Sequence, residues 1–443
     1  MLRQKAIAGV AWSLFDKVIN QLGSLILLIY LSRVLTPSDF GLIAMLAIFL
    51  AIAQSLIDSG FSQALIQKSD QASENDFSTV FYINFFISIL IYCLLFVFSP
   101  SISEFFNQPA LTDLSRVLFL VVIFNAISLV PRTKLTIAID FKTQGLINSV
   151  ATVISAVIAI YMVHVDMGYW ALVGMNLGRA ITTAMLLIVI TRWRPLWAFS
   201  MQSFHSLFSF GSKLLVAGLV ATIVQNLYAV LIGKRFSVDQ LGYFQQGYNY
   251  TNMLSGTLSS VVQGVTYPIM TSIKTDTGRL VGIYSKVMGV VTFFTIPIFV
   301  GFASVSEEFV LIFLGEKWLP MVPVLIVLSL ARMITPISSL NMNILNATGR
   351  SDLFLKIDLS KLPMVLVFLV IALPYGIVAV AISQLAAVFI SFFINAYYPG
   401  KLYGFGAKEQ IKELLPILLA SSIMAFCIYW IEVDSMVLQF LLK

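Results

Sequence analysis

Long apolar segments alternate with short polar connections along the whole chain. A bilayer core about 30 Å thick requires roughly 20 apolar residues per helix, so each segment of that length is predicted to span a membrane. A fourteenth segment begins at Ser435 and comprises only nine residues up to and including Lys443. The pattern therefore predicts an all-α integral membrane protein. The thirteen longer segments are residues 9–31, 40–58, 78–99, 113–131, 146–165, 168–191, 208–232, 247–272, 284–304, 321–345, 357–374, 376–397 and 411–431.

Composition supports this fold class. Of the 443 residues, 59% are hydrophobic and 11% are charged, whereas a soluble protein carries roughly 25% charged residues. Cys93 and Cys427 fall in apolar segments far apart in sequence, and we expect both to be small buried side chains. We therefore predict no disulfide, no metal site, no cofactor and no nucleic-acid partner.

Lysine and arginine are concentrated in one set of alternating loops. The other set holds fewer cations, namely Arg33, Lys234, Arg235 and Lys317. Because cytoplasmic loops retain positive charge, the N-terminus is predicted to be cytoplasmic. The cation-rich set contains Arg3, Lys5, Lys68, Arg132, Lys134, Lys142, Arg192, Arg194, Lys274, Arg279, Lys286, Arg350, Lys356, Lys401, Lys408 and Lys412.

The chain also resembles itself. The stretch "LSRVLTPSDFGLIAM" after the first helix resembles "IGKRFSVDQLGYFQQ" after the seventh, with Gly41 aligned on Gly242. Because the two stretches follow helices that are six apart in the chain, a parallel duplication of six helices is favoured. Similar loop composition alone is an alternative explanation. We predict two six-helix lobes, residues 1–200 and 201–400, followed by helix 13 and an incomplete helix 14 in residues 401–443.

One face of the first helix is polar. Its middle reads "FDKVINQLG", and the polar residues fall within an arc of roughly 140° at 3.6 residues per turn. A charge at the bilayer centre costs at least ~2.5–3.5 kcal/mol unless it faces protein or water, so this face is predicted to avoid lipid. It consists of Ser13, Asp16, Lys17, Asn20, Gln21 and Ser24.

Polar faces recur on five other helices. Interhelical hydrogen bonding is one explanation for their amides and hydroxyls. The cations Lys17, Arg179, Lys213 and Arg332 nevertheless outnumber the acids Asp16 and Asp58. Because unpaired buried charge is costly, this excess favours a water-filled cavity that receives an anion. Asp16 either pairs with Lys17 or carries a coupled ion, whereas Asp58 either caps the turn after helix 2 or carries a coupled ion. The other faces contain Asn148, Thr152 and Ser155; Asn176, Arg179 and Thr183; Lys213 and Gln225; Gln245, Asn249, Asn252, Gly256, Ser259, Ser260 and Gln263; and Ser329, Arg332, Ser339, Asn343 and Asn346.

Sequence motifs argue against chemistry driven by the chain itself. It contains no "GxxxxGK[ST]" phosphate-binding loop. The adjacent pair Glu307 and Glu308 occupies a short loop and cannot form two facing carboxylates. We therefore expect a transporter that is not an enzyme.

The chain carries "LSRVLTPSDFGLIAM" after helix 1, "DSGFSQALIQ" after helix 2, "IGKRFSVDQLGYFQQ" after helix 7 and "YPIMTSI" after helix 8. These four stretches resemble the polysaccharide transporter branch of the multidrug/oligosaccharidyl-lipid/polysaccharide exporter superfamily. The resemblance implies two lobes around a V-shaped cavity in the bacterial inner membrane. It also implies that an undecaprenyl-diphosphate-linked oligosaccharide moves from the cytoplasmic to the periplasmic leaflet by alternating access. Members include flippases for O-antigen and exopolysaccharide repeats. The family usually completes fourteen helices, and this chain departs from it there.

The implied substrate assigns roles to the polar faces. Lys17, Arg179 and Arg332 would bind the diphosphate. Amides would bind the oligosaccharide, and a polymerase complex and membrane lipid are expected partners. A multidrug/cation antiporter, which should have an acidic cavity, a peptidoglycan-precursor flippase and a non-transporting scaffold remain alternatives. The predicted amide ligands are Asn20, Gln21, Asn249, Asn252, Gln263 and Asn343.

Overall fold

The structure is a computed structural model that describes residues 20–58, 60–68, 72–274 and 276–430. Within these ranges the chain is helical and contains no β-strand. Ten helical spans there are long and apolar enough to cross a membrane. The predicted all-α membrane fold is confirmed. The beginning of helix 1 and the predicted start of helix 14 lie outside the described residues.

The described helices divide into two compact units, Met1–Gly242 and Tyr243–Lys443. The predicted lobes of residues 1–200 and 201–400 concern the internal duplication, and their boundaries stay a prediction. The helices are α1 (residues 20–34), α2 (Pro37–Asp58), α3 (Phe61–Gln67), α4 (Glu74–Phe106), α5 (Leu111–Leu118), α6 (Val121–Ile137), α7 (Phe141–His164), α8 (Trp170–Thr191), α9 (Met201–Arg235), α10 (Val238–Ser272), α11 (Thr277–Ser304), α12 (Ser306–Phe309), α13 (Val322–Ala347), α14 (Ser351–Ala372), α15 (Ile377–Tyr403) and α16 (Ala407–Tyr429).

Several predicted boundaries were wrong, and α10, for example, begins at Val238 rather than at residue 247. The helix predicted at 113–131 is two helices, and the second continues through Pro131 to Ile137. The connection between the predicted segments 168–191 and 208–232 ends at Ser200, whose side chain accepts the N–H of Ser203 and caps α9. In these cases a helix extends further than its apolar segment, because polar residues near a membrane surface remain helical when the backbone bonds are made within the helix.

The remaining connection, residues 192–200, is held against the start of α4. The indole of Trp193 donates to Glu74 at 2.9 Å, and Lys134 of α6 pairs with the same carboxylate at 2.5 Å. Two backbone N–H groups of the connection donate to the hydroxyls of Ser78 and Thr79, at 2.9 and 3.1 Å. These bonds satisfy a non-helical backbone with side chains of one neighbouring helix.

In the second unit, α16 is bound to the bundle by a buried amide network. Tyr284 of α11 donates to the Oδ1 of Asn341 in α13, and Gln410 of α16 exchanges hydrogen bonds with Asn341 at 2.8 and 3.1 Å. All three side chains are fully buried. Polar groups that pair within the core avoid the cost of an unsatisfied donor or acceptor. The helix outside the proposed duplication is therefore a core element of this unit.

The repeated motifs form equivalent helix caps. At the start of α2, Thr36 and Asp39 exchange hydrogen bonds, with the Thr36 N–H donating to Asp39 at 2.8 Å. At the start of α10, Ser237 and Gln240 do the same, with the Ser237 N–H donating to Gln240 at 3.4 Å. Both pairs are capping boxes, and they occupy aligned positions of the two repeats.

The two aligned glycines lie where the starts of α2 and α10 meet. A Cβ atom at Gly41 would overlap the carbonyl oxygen of Val238, and one at Gly242 would overlap the carbonyl oxygen of Pro37. Pro37 and Val238 are themselves aligned in the repeat, so the contact is reciprocal. Only glycine allows the two backbones to approach this closely.

This contact predicts the effect of an added methyl group. We expect Gly41→Ala and Gly242→Ala each to destabilise the protein by ~1–3 kcal/mol, because neither backbone carbonyl can move aside as a side chain could. Gly256→Ala is the matched control, since a Cβ atom there meets nothing within 4 Å and alanine favours the helix. Thermal unfolding of the purified protein in detergent measures all three. Equal midpoints for the three variants would contradict the prediction.

Candidate functional site

The polar face of α1 packs on α7 as far as the structure describes it. The Asn20 amide donates to Ser149 at 3.2 Å, and its oxygen accepts the hydroxyl of Thr152 at 2.9 Å. The predicted avoidance of lipid is therefore seen at Asn20, which bonds to two polar residues of a neighbouring helix.

A polar cavity of about 610 Å³ lies beside this contact within the first unit. Its walls come from the polar stripes of α1, α6, α7 and α8. Amides dominate the lining, and Asn176 is turned partly toward its own helix, where it donates to the Leu172 carbonyl at 2.8 Å. The lining residues are Asn20, Gln21, Ser24, Val121, Asn125, Arg132, Asn148, Asn176, Arg179, Ala180 and Thr183.

Two arginines supply the positive charge of this cavity. Arg132 and Arg179 are both exposed within it, and their charges are close enough to repel each other. Neither forms an ion pair within the part of the chain that the structure describes. Two neighbouring cations of this kind are stabilised by water or by an anion between them.

A second cavity of about 450 Å³ shares Arg132 and Asn125 with the first. Asp58, at the end of α2, lies on its wall, and its Oδ1 atom is buried with no hydrogen-bond partner among the described residues. Gln54 accepts the Asn125 amide at 2.7 Å. The second cavity also presents hydroxyls, so it offers oxygen ligands around one carboxylate. Its hydroxyls belong to Ser62, Ser128, Thr133 and Thr136.

Arg132 was missed as a candidate in the sequence. The predicted end of helix 4 at residue 131 assigned it to a cytoplasmic loop, whereas α6 continues to Ile137. Arg132 could have been recognised from the spacing of the polar residues in this helix, which places four of them on one helical face. These residues are Asn125, Ser128, Arg132 and Thr136.

The second unit positions the predicted Arg332 on an aromatic ring. Its guanidinium lies 4.5 Å from the ring centroid of Tyr248, and its Nε is buried without a partner among the described residues. A cation over an aromatic face is stabilised by the ring quadrupole. Tyr250, by contrast, is fully buried against Phe309 and presents no free stacking face.

The amides predicted to bind sugar differ in exposure. Asn252 and Gln263 are exposed on α10. Asn249 is bonded to Gln245 and Gln246, each at 3.0 Å. Asn343 is buried and donates to Thr266 at 3.1 Å, a bond between α13 and α10. Their roles in binding stay predictions.

The remaining candidates cannot be compared with the structure. Asp16 and Lys17 lie outside the described residues, as does the side chain of Lys213. The first cavity thus brings together three of the predicted ligands, Asn20, Gln21 and Arg179. Among the described residues, no three His, Cys, Asp or Glu side chains converge as a metal site requires.

Comparison with known proteins identifies the family. Residues 30–323, about two thirds of the chain, match the family described as "Polysaccharide biosynthesis protein". The chain belongs to this family. It is 26% identical to the teichuronic acid biosynthesis protein TuaB of Bacillus subtilis (strain 168), over 80% of this chain and 73% of that protein. It is 24% identical to the lipopolysaccharide biosynthesis protein WzxC of Escherichia coli (strain K12), over 81% and 73%.

Solved structures of transporters share the fold. The lipid II flippase MurJ in an inward closed conformation matches with a TM-score of 0.77 at 17% identity, over 98% of this chain and 96% of that chain. An inward-facing multidrug resistance MATE family transporter matches with a TM-score of 0.68 at 14% identity, over 94% and 98%. The predicted membership of the polysaccharide transporter branch is confirmed, and the protein is a multi-pass membrane protein of polysaccharide biosynthesis.

The electrostatic field of the first cavity can be measured by cysteine labelling. Cys93 and Cys427 are unpaired and exposed, not buried as predicted, so both are first replaced by serine. In Asn148→Cys, we expect an anionic thiol reagent to react about tenfold faster than a cationic one of similar size, because two arginines attract it. Arg179→Gln in the same background should reduce the ratio.

Val150→Cys is the matched control, because Val150 is exposed on the opposite side of α7. In membranes it should react slowly with both charged reagents, since hydrocarbon excludes them. Equal rates of the two reagents at Asn148→Cys would show that the cavity has no net positive field.

Proposed function

We propose that this protein is a flippase that moves a polyprenyl-diphosphate-linked oligosaccharide, with undecaprenyl as the bacterial polyprenyl, from the cytoplasmic to the periplasmic leaflet by alternating access. The observation that carries the proposal is the pair of arginines, Arg132 and Arg179, on one polar cavity without an ion-pair partner among the described residues. TuaB, named as a teichuronic acid biosynthesis protein, and WzxC, named as a lipopolysaccharide biosynthesis protein, support the substrate class.

The chemistry of the cavity fits a sugar diphosphate. A guanidinium offers paired donors that match phosphate oxygens. The surrounding asparagines, including Asn125 and Asn148, are neutral donors and acceptors that suit sugar hydroxyls. None of these roles requires bond making or breaking, so the proposal assigns the chain binding and movement rather than catalysis. Arg332 beside Tyr248 is a further proposed phosphate ligand from the second unit.

Charge also distinguishes the proposal from a multidrug antiporter. An organic cation entering a cavity with Arg132 and Arg179 would meet like charges, which lowers its affinity. A lipid-linked peptidoglycan precursor shares the diphosphate, so the cavity charge does not separate it from an oligosaccharide repeat. The phenotype of a strain lacking the gene separates the two substrates. Loss of surface polysaccharide supports the repeat unit, and lysis of growing cells supports the peptidoglycan precursor.

The two arginines can be tested together. We expect Arg132→Gln and Arg179→Gln each to weaken binding of a lipid-linked sugar diphosphate about tenfold, because a hydrogen bond to a charged group contributes ~1.5–3 kcal/mol. The double variant should fail to restore surface polysaccharide in a strain lacking the gene, and the lipid-linked repeat should accumulate in the inner leaflet. Binding to the purified protein and the leaflet distribution of the lipid are the measurements.

Arg194→Gln is the control, because Arg194 is exposed in the 192–200 connection and is not among the residues that line the cavity. Lysine at 132 or 179 should retain part of the affinity. Full restoration by the double variant at normal expression would remove these residues from the site. Normal polysaccharide with altered sensitivity to cationic drugs would instead favour the antiporter.

Ion coupling is proposed at Asp16 or Asp58, of which Asp58 lies within the described residues. Asp58 and Arg132 line the same cavity, so a proton or sodium ion on Asp58 removes a negative charge that repels an anion bound at Arg132. Anion binding at Arg132 and cation binding at Asp58 then strengthen each other, as linkage requires.

Asp58→Asn tests this assignment. In the wild type, we expect affinity for a sugar diphosphate diester to rise with proton or sodium concentration, because the cation neutralises Asp58 and removes its repulsion of the bound anion. Asparagine imitates the neutral form, so the variant should bind as the wild type does at high cation concentration, with no further dependence. Titration across pH and sodium concentration measures this. A variant that keeps the wild-type dependence would assign the coupling elsewhere.

A further inference from the structure

A groove of about 420 Å³ runs between α14 and α15 in the second unit. Its α14 wall consists of Lys356, Ile357 and Ser360, and its α15 wall is mainly aromatic. The spacing on each helix follows one face, at positions i, i+1 and i+4. The groove is therefore the valley between two packed helices. Its α15 wall contains Phe393, Ile394, Tyr397 and Tyr398.

The groove is apolar with one charge at its end. Ile357 is buried at its base, while Phe393 and Tyr397 are 39% and 59% exposed. Lys356 is exposed and forms no ion pair among the described residues. The nearby cations on this helix differ, since Arg350 pairs with Asp352 and Lys361 pairs with Asp358. Lys356 is thus a cation without a counter-ion among the described residues, beside an apolar surface.

The position along the helices matches the boundary of a bilayer. Lys356 lies in the second turn of α14, and Tyr397 lies six residues before the end of α15. At 1.5 Å per residue, Lys356 lies about 8 Å from the start of α14 and Tyr397 about 9 Å from the end of α15, and lysine and tyrosine near the ends of membrane helices bridge hydrocarbon and headgroups. The positive-inside pattern predicts this end to be cytoplasmic.

We propose that this groove binds an anionic phospholipid of the surrounding membrane, with its phosphate at Lys356 and a hydrocarbon chain along Ile357, Phe393 and Tyr397. Basic pockets between transmembrane helices at the cytoplasmic side have the chemistry to hold such headgroups. A single lysine matches the single charge of a phosphodiester headgroup, whereas a diphosphate calls for more cations. This site lies outside the cavity of the proposed transport function and does not rest on it.

Native mass spectrometry of the full chain in detergent tests the proposal. Phosphatidylglycerol and phosphatidylcholine with identical acyl chains are the probes, so that only headgroup charge differs. We expect the wild type to retain phosphatidylglycerol preferentially. Lys356→Gln should weaken phosphatidylglycerol binding about fivefold, the effect of one lysine near a membrane phosphate, and should leave phosphatidylcholine binding unchanged.

Three further variants separate the contributions. Lys408→Gln, which removes an exposed lysine of α16, should leave the preference intact. Lys356→Arg should preserve it. Phe393→Ala should weaken both lipids equally, because it removes part of the surface for the hydrocarbon chain. Thermal unfolding without added lipid identifies any variant that is misfolded, and Lys356→Arg keeps the test decisive in that case.

Three outcomes would overturn the proposal. The first is an unchanged headgroup preference in Lys356→Gln. The second is displacement of phosphatidylglycerol from the Lys356 site by a polyprenyl diphosphate of higher affinity, which would make the groove a substrate site. The third is a dimer that dissociates in Phe393→Ala, which would make a second copy of the chain the occupant.

Discussion

An unpaired charge in hydrocarbon is so costly that every cation inside the membrane must face water, an acid, a carbonyl or an aromatic ring. The first unit shows several of these solutions. Lys134 pairs with Glu74, and Lys234 donates to the carbonyl of Phe105 while lying over its ring. Arg132 and Arg179 instead face a polar cavity. Because they face a cavity rather than an internal partner, Arg132 and Arg179 can bind a ligand, whereas Lys134 and Lys234 are already bonded within the protein.

A second constraint comes from backbone contact between the repeats. The starts of α2 and α10 approach each other at Gly41 and Gly242. Gly41 faces the carbonyl of Val238, and Gly242 faces the carbonyl of Pro37, the residue aligned with Val238. The contact is reciprocal between residues that the predicted duplication aligns. Both helices also begin with a capping box, so the two similar stretches share a local geometry, while the duplication itself stays a prediction.

Hydrophobic segments predicted the class of fold, most of the spans and the polar face of α1, because the bilayer imposes length and sidedness on each helix separately. Helix ends were less predictable. The segment predicted for helix 4 ended at residue 131, yet α6 continues through Pro131 to Ile137, because proline removes only one backbone donor. Packing partners were not predictable either. Periodicity places Asn343 and Tyr250 on particular faces, but only the tertiary structure shows that Thr266 and Phe309 cover them.

The same limit explains why the central arginine of the proposed site was not recognised. A sequence stripe reports which residues share a face of one helix, whereas Arg132 gains its importance from residues on other helices: Arg179 of α8 in one cavity and Asp58 of α2 in the other. In the proposed function, Arg132 binds the anionic substrate and Asp58 repels it across the shared cavity. Neutralising Asp58 would therefore raise substrate affinity, so one carboxylate would link ion occupancy to substrate binding without a separate relay of residues.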